Sequence, residues 1–258
     1  MSDELVHYEV ANGVASITLD SPSNRNALSR QLTSDLDRQV QRALADDGAR
    51  MIVLTAVGPV FCSGADLKES RDANVAGIAT GPAALVPVLT ALWHSPKPVI
   101  GRINGAARAG GIGLIAACDL TIAVETATFA ISEVRIGVIP AIISVLLLPK
   151  LGMTKCTELF LTGEPFSAQE GVAMGLLTAT SGAERLDEIV DAYLARLRLG
   201  APNALAGAKL LVRDVPGLSL DAAFAETAKR SAAFFASEEA REGMTAFTEK
   251  RPPAWQLS

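Results

Sequence analysis

Histidine is nearly absent from this chain, which has only His7 and His94. Neither has a Gly-x-Ser-x-Gly elbow to serve, so the pattern argues against a Ser-His-Asp hydrolase. Any acid/base work falls instead to carboxylates or backbone amides. Cysteine is scarce too: Cys62, Cys118 and Cys156 are far apart, odd in number and set among apolar residues. They read as buried free thiols, and no Cys/His spacing suggests a metal site. Basic charge is in deficit, with a formal net charge of −5, which argues against a polyanion-binding surface spread over the protein but not against a local basic pocket. Long apolar runs are missing as well. Ile136 to Pro149 is short of the ~20 residues a membrane span needs, and Pro140 interrupts it. MSDELVHYEV is acidic and lacks the basic-then-apolar layout of a signal peptide. The expectation is a cytoplasmic protein with neither membrane nor nucleic acid as partner.

What is present is a chain of 258 residues, nearly half apolar and a fifth charged, enough for one large core or a core with an appendage. HYEV, Asn12-Gly13 and VASITL read as a hairpin, because Asn-Gly supplies the positive φ values of a type I′ turn. Leu32, Leu36, Val40 and Leu44 make one face of a helix over Ser29 to Asp46. MIVLTAV (51–57) and PVIGRI (98–103) read as buried strands, and a helix is expected over about 82–94. After the Asn104-Gly105 turn comes a short helix, Ala109 to Cys118, then two short strands in DLTIAVE and ATFAIS. From Ala141 on the pattern is helical, apart from a strand near 176–180. Ser167 and Glu170 form a capping box. Further helices are expected over 184–199, 203–213, 220–236 and 238–250. The fold class is α/β, with a β-rich first half, a helical second half and no sequence repeat.

Three stretches hold candidate chemistry. FCSGADLKE leaves the carboxyl end of a buried strand, where α/β proteins place ligands; the plainer reading is a strand-to-helix turn capped by Asp66. In AARAGGIGLIAACD, a helix starting near Ala109-Gly110-Gly111 offers unpaired N–H groups and a positive dipole end to an oxyanion. The same stretch matches Gly-x-Gly-x-x-Ala at Gly111, Gly113 and Ala116, with Glu133 twenty residues on, as in a dinucleotide fingerprint. Against that, the preceding strand is expected to end several residues too early, at Asn104-Gly105. In ISEVRIGVIP, Glu133 stands among apolar residues, where desolvation raises a carboxyl pKa toward acid/base use. A salt bridge to Arg135 or a helix cap is the alternative.

Taken together with Asn24-Arg25-Asn26-Ala27-Leu28, the segments FCSGADLKE, INGAARAGGIGLIAACD, TFAISEVRIGVIP and TAFTEKRPPAW make the chain resemble the enoyl-CoA hydratase/isomerase (crotonase) family over essentially its full length. The resemblance implies a spiral of β-β-α repeats, with residues 1–195 as the acyl-CoA-binding core and 196–258 as a helical region used in trimer packing, in a homotrimer or homohexamer. It implies an acyl-CoA substrate and no separate cofactor or metal, the coenzyme A thioester being the substrate carrier. Two backbone amides, falling on Ala65 and Gly110, would bind the thioester oxygen, and one such donor is worth about 3 kcal/mol in related chemistry. Ser63, Asp66 and Leu67 match positions along the coenzyme A, Arg25, Ala27 and Leu28 the loop over its nucleotide end. Phe247 and Lys250 match C-terminal residues that reach it, often from a neighbouring subunit.

The match has a gap. Hydratases of this family use two glutamates; the second falls on Glu133, but the first falls on Gly113, which can do no acid/base chemistry. Ala109 replaces a frequent glycine, and Ala141-Ile142-Ile143 replaces a glycine-rich run. The favoured reading is hydration by Glu133 alone, with a bound water in the space beside Gly113. The wording resembles a branch with methylglutaconyl-CoA hydratase-like proteins, which suggests a branched or carboxylated substrate; Glu69 or Asp72 is a candidate second acid. The alternatives are a Δ3,Δ2-enoyl-CoA isomerase that uses Glu133 as a proton shuttle, and an acyl-CoA binder with little turnover.

Overall fold

Asn12 and Gly13 both take positive φ, 51° and 73°. They join β1 (Val6–Ala11) to β2 (Val14–Leu19) as an antiparallel hairpin, as the type I′ chemistry requires. The computed structural model describes residues 4–69, 71 and 82–256. Helix α1 (Arg30–Ala45) is capped by the Ser29 side chain, which accepts from Leu32 N, and it buries Leu32, Leu36, Val40 and Ala43. The next elements are β3 (Met51–Ala56), β4 (Val60–Cys62), α2 (Leu85–His94), β5 (Val99–Ile103), β6 (Ala106–Arg108) and α3 (Gly110–Ala117). After them come β7 (Leu120–Val124), β8 (Thr128–Ala130), α4 (Ala141–Thr162), β9 (Phe166–Ser167), α5 (Ala168–Ala173) and β10 (Ala179–Ser181). α4 is interrupted at Gly152, whose φ of 74° is not helical. Ser167 and Glu170 close the expected capping box on α5.

The strands form two sheets, β1-β2-β3-β5-β7-β10 and β4-β6-β8-β9. From β2 onward the larger sheet is parallel; in the smaller, β4, β6 and β8 are parallel and β9 is antiparallel. The repeat that is invisible in the sequence is visible here. The pairs β3-β4, β5-β6 and β7-β8 each send their first strand to the large sheet and their second to the small one. After two of them the chain continues into α3 and α4. This is the spiral of β-β-α units. β6 itself is a correction to the sequence reading, which left 106–108 between a turn and a helix. Alanine carries little strand propensity, yet Ala107 is fully buried between Cys62 of β4 and Phe129 of β8.

The chain divides into two compact units, one containing the residues up to Trp93 and Val99–Val190, the other His94–Pro98 and Asp191 onward. The core of the first is largely aliphatic, with Ile17, Leu19, Leu54, Ile100 and Ile103 fully buried beside the aromatic Phe129. In the second, α7 (Pro202–Asp214), α8 (Leu220–Phe235) and α9 (Glu238–Glu249) follow α6 (Leu186–Arg198). Glu239 accepts from the amides of Asn203 and Ala204, and Trp255 Nε1 donates to Leu199 O. No helix among the described residues is long and apolar enough to cross a membrane.

Candidate active site

Parallel strands end on the same edge of a sheet, and this places the candidate residues together. In the small sheet Cys62 pairs with Ala107 and Arg108 with Ala130. Ala65 lies three residues beyond β4, Gly110 two beyond β6 and Glu133 three beyond β8. With neighbouring strands about 4.8 Å apart, the three chain exits span roughly 10 Å of one carboxyl edge, the usual place for an α/β ligand site.

The first exit is shaped by Gly64, whose φ is 89°. A Cβ there would lie 3.0 Å from both Ala109 Cβ and Arg108 O, so this position needs glycine for its backbone angle and for its close approach to the second exit. Leu28 N donates to Gly64 O at 2.8 Å in a parallel bridge between Leu28 and Ala65. That register turns the Ala65 amide away from Leu28, and among the described residues it has no acceptor. At the second exit Ala109 takes φ 49° and ψ −118°, a conformation costly for alanine. It is held by Ala109 N donating to Ala130 O (3.1 Å) and by Ile112 N and Gly113 N donating to Ala109 O (2.8 and 3.3 Å). The Gly110 amide is left at the tip of α3 with no acceptor among the described residues. Both amides are therefore held by backbone geometry and left unused among the described residues.

The loop that carries Arg25, Ala27 and Leu28 is anchored by Asn26, whose role the sequence reading missed. Asn26 is fully buried with φ 52°. Its Oδ1 accepts from Ser21 N (2.7 Å), and its Nδ2 donates to Val57 O and Val60 O (3.0 and 2.8 Å). The signal available in the sequence was an asparagine next to Arg25, since asparagine tolerates the left-handed region better than most residues. Arg25 is exposed, and its carbonyl accepts from Ser63 N at 3.1 Å. Ala27 is buried, and Leu28 reaches α3: a Cβ on Gly110 would lie 2.7 Å from Leu28 Cδ1. The Asp66 side chain caps the turn after it, accepting from Glu69 N (3.0 Å) and Asn24 Nδ2 (2.9 Å). These bonds hold its carboxyl below the usual range, the one from Glu69 N most of all. Leu67 is exposed.

Glu133 opens a 3-10 turn, Glu133–Ile136, closed by left-handed Gly137. Burial pushes its carboxyl above the ordinary glutamate range. Its Oε2 is buried with no hydrogen-bond partner among the described residues. Arg135 is not its counter-ion: that guanidinium pairs with Glu164 and donates to Thr162 O. A half-buried carboxylate with one oxygen unpartnered, on the same sheet edge as two unused amides, has the chemistry to move a proton at a carbon next to a polarised carbonyl.

Two expectations are overturned. The space beside Gly113 does not hold water: it is filled by Ile143 of α4, whose Cγ2 lies 2.5 Å from where a Gly113 Cβ would be, and Ile143 is buried. Glu69 is no second acid either, because Oε2 accepts from Arg30 N at 2.8 Å and Oε1 pairs with Arg30 Nε at 2.6 Å. Asp72 lies outside the described residues. The strand before α3 does not end early, since β6 reaches Arg108 directly ahead of that helix. Gly113 is nevertheless packed under Ile143, where no pyrophosphate can approach. Phe247 is exposed on α9, and Lys250 caps that helix in the left-handed conformation. All three cysteines are buried free thiols, and desolvation pushes Cys62 up to about 12.

The enoyl-CoA hydratase/isomerase family model matches residues 9–257. The chain belongs to this family. The Rhodobacter capsulatus protein named "Probable enoyl-CoA hydratase" is 34% identical over 98% of this chain and 98% of its own. The (E)-benzylidenesuccinyl-CoA hydratase of Thauera aromatica is 31% identical over 97% of this chain and 98% of its own. The crystal structure of an enoyl-CoA hydratase from Mycobacterium smegmatis superimposes with a TM-score of 0.88 at 30% identity, covering 98% of this chain and 99% of that one. As a family member the chain is an enzyme of the crotonase fold.

Proposed function

We propose that this enzyme hydrates an enoyl-CoA thioester. The observation that carries the reading is the Glu133 carboxylate, desolvated and with one oxygen unpartnered, on the sheet edge where the Ala65 and Gly110 amides stand without acceptors. The amides receive the thioester oxygen and stabilise the charge it gains as the enolate forms, by about 3 kcal/mol for each donor. The Glu133 carboxylate holds the attacking water. As the water oxygen bonds to C3, its proton passes to Glu133, and the protonated carboxyl delivers that proton to C2. Water is added in full and Glu133 returns to its ionised state. One carboxylate thus serves as base and then as acid, a cycle its raised pKa suits. All three proteins described above carry the name hydratase, which supports this direction, and the Thauera aromatica name fits a branched or carboxylated substrate.

Along the coenzyme A we assign the exposed Arg25 and Leu67, the part-buried Leu28, Ser63 and Asp66, and the buried Ala27. Phe247 and Lys250 reach it from a neighbouring subunit of a homotrimer or homohexamer. No further cofactor or metal enters the scheme. Isomerisation is the second reading, favoured by Ile143: with the flank of Gly113 closed, a single carboxylate shuttling a proton between α and γ carbons needs no water.

The test is loss of conjugated enoyl-thioester absorbance with crotonyl-CoA and with 3-methylglutaconyl-CoA. Glu133→Gln is expected to lower the rate by about 10²–10⁴. Silence with both substrates, together with a gain of conjugation from a 3-enoyl-CoA, overturns hydration in favour of isomerisation.

A further inference from the structure

We propose that Ile143 sets the size of the acyl group this site accepts; the inference rests on the proposed acyl-CoA site and names its specificity-determining wall. Gly110 and Gly113 are three residues apart and so share one face of α3. Neither has a side chain, and the face is walled by what packs onto it. A Cβ on Gly110 would meet Leu28 Cδ1 at 2.7 Å and Leu85 Cδ2 at 3.3 Å. One turn on, a Cβ on Gly113 would meet Ile143 Cγ2 at 2.5 Å and Leu89 Cδ1 at 3.6 Å.

The wall that starts at the Gly110 amide is therefore aliphatic, and at the level of Gly113 Ile143 is the side chain in closest contact. Chain connectivity brings the same residue near Glu133. Val138 N donates to Glu133 O (3.2 Å), Ala141 N donates to Ile139 O (2.8 Å), and Ile143 follows in the first turn of α4. An acyl chain whose thioester oxygen sits on the Gly110 amide and whose α-carbon faces Glu133 meets this aliphatic wall as it lengthens. Ile143 is β-branched in a helix and has one strongly preferred χ1, so it does not turn aside for a longer chain.

Removing methylenes from such a wall changes selectivity rather than chemistry, because one methylene in a hydrophobic pocket is worth about 10- to 200-fold in discrimination. The experiment measures kcat/KM for crotonyl-, hexenoyl-, octenoyl- and decenoyl-CoA in wild type, Ile143→Val and Ile143→Ala. In parallel, dissociation constants are measured for the saturated butyryl- to decanoyl-CoA series. The ratio of long-chain to short-chain kcat/KM is expected to rise about tenfold or more in Ile143→Ala, with Ile143→Val between it and wild type. The saturated ligands should follow the same order. Ratios that stay constant while all rates fall together overturn the inference. Where wild type turns over none of the enoyl-CoAs, the proposed activity fails by itself and the saturated series still decides the role of Ile143. Failure to bind any acyl-CoA overturns both. Ile143→Val, which removes a single methylene, keeps the test readable if Ile143→Ala folds poorly.

Discussion

Adding one methyl group at position 113 tests the packing on which the site rests. The Cβ of Gly113→Ala would lie 2.5 Å from Ile143 Cγ2 and 3.4 Å from Ile143 Cβ, whereas carbon–carbon contacts are optimal at about 3.5–4.0 Å. The shortfall of about 1 Å is not removed by rotating Ile143, because its Cβ is already close and its χ1 is restricted. Either α3 and α4 move apart or the isoleucine leaves its rotamer, at an overpacking cost of about 1–3 kcal/mol. Against this, alanine in place of a helical glycine contributes about 1 kcal/mol. The net expectation is a destabilisation of up to about 2 kcal/mol. On an Ile143→Ala background, which itself costs about 2–5 kcal/mol, the clash is gone. There Gly113→Ala should stabilise by about 1 kcal/mol. Urea unfolding of the four proteins gives the coupling directly, expected at about 1–3 kcal/mol. A coupling below about 0.5 kcal/mol, the scatter of independent sites, would falsify the contact.

Other perturbations test separate parts of the site. Asn26→Ala leaves Ser21 N, Val57 O and Val60 O without their partner. At about 1–3 kcal/mol for each stranded group, unfolding midpoints should fall by at least 3 kcal/mol in equivalent free energy; a change under about 1 kcal/mol counts against the anchor. Ala109→Gly relieves a positive φ of 49° and should stabilise by about 1 kcal/mol after the entropy glycine adds to the unfolded chain, with thermal unfolding as readout; a lower midpoint refutes the strain. Glu133 has its pKa raised by burial, so the native state binds the more protons between the unfolded and folded values, and stability falls as pH rises through that window. Glu133→Gln should accordingly be more stable than wild type at neutral pH and lose that slope. In wild type the acid limb of kcat/KM should lie above the ordinary glutamate range. A limb at the ordinary value would remove desolvation from the explanation.

Much of the site was legible in the chain itself, because its cues act over a few residues. Asn12-Gly13 implies a hairpin through the φ angles those residues accept. Leu32, Leu36 and Val40 specify a buried helix face through their spacing, and Ser167 with Glu170 caps a helix through bonds three residues apart. The ordered motifs around Ala65, Gly110 and Glu133 marked the candidate chemistry in the same way. Tertiary structure alone decided the rest. Strand β6 exists because Ala107 lies buried between two other strands, a fact about its neighbours and not about alanine. The two-sheet partition brings three chain exits to one edge although they lie up to about seventy residues apart, since parallel strands align ends whatever loop joins them. Gly113 reads as an empty place in the sequence, but in the fold Ile143 fills it. Glu69 reads as a spare acid, but Arg30 holds it. Such pairings depend on side chains meeting across distant segments, and local propensity carries no term for that contact.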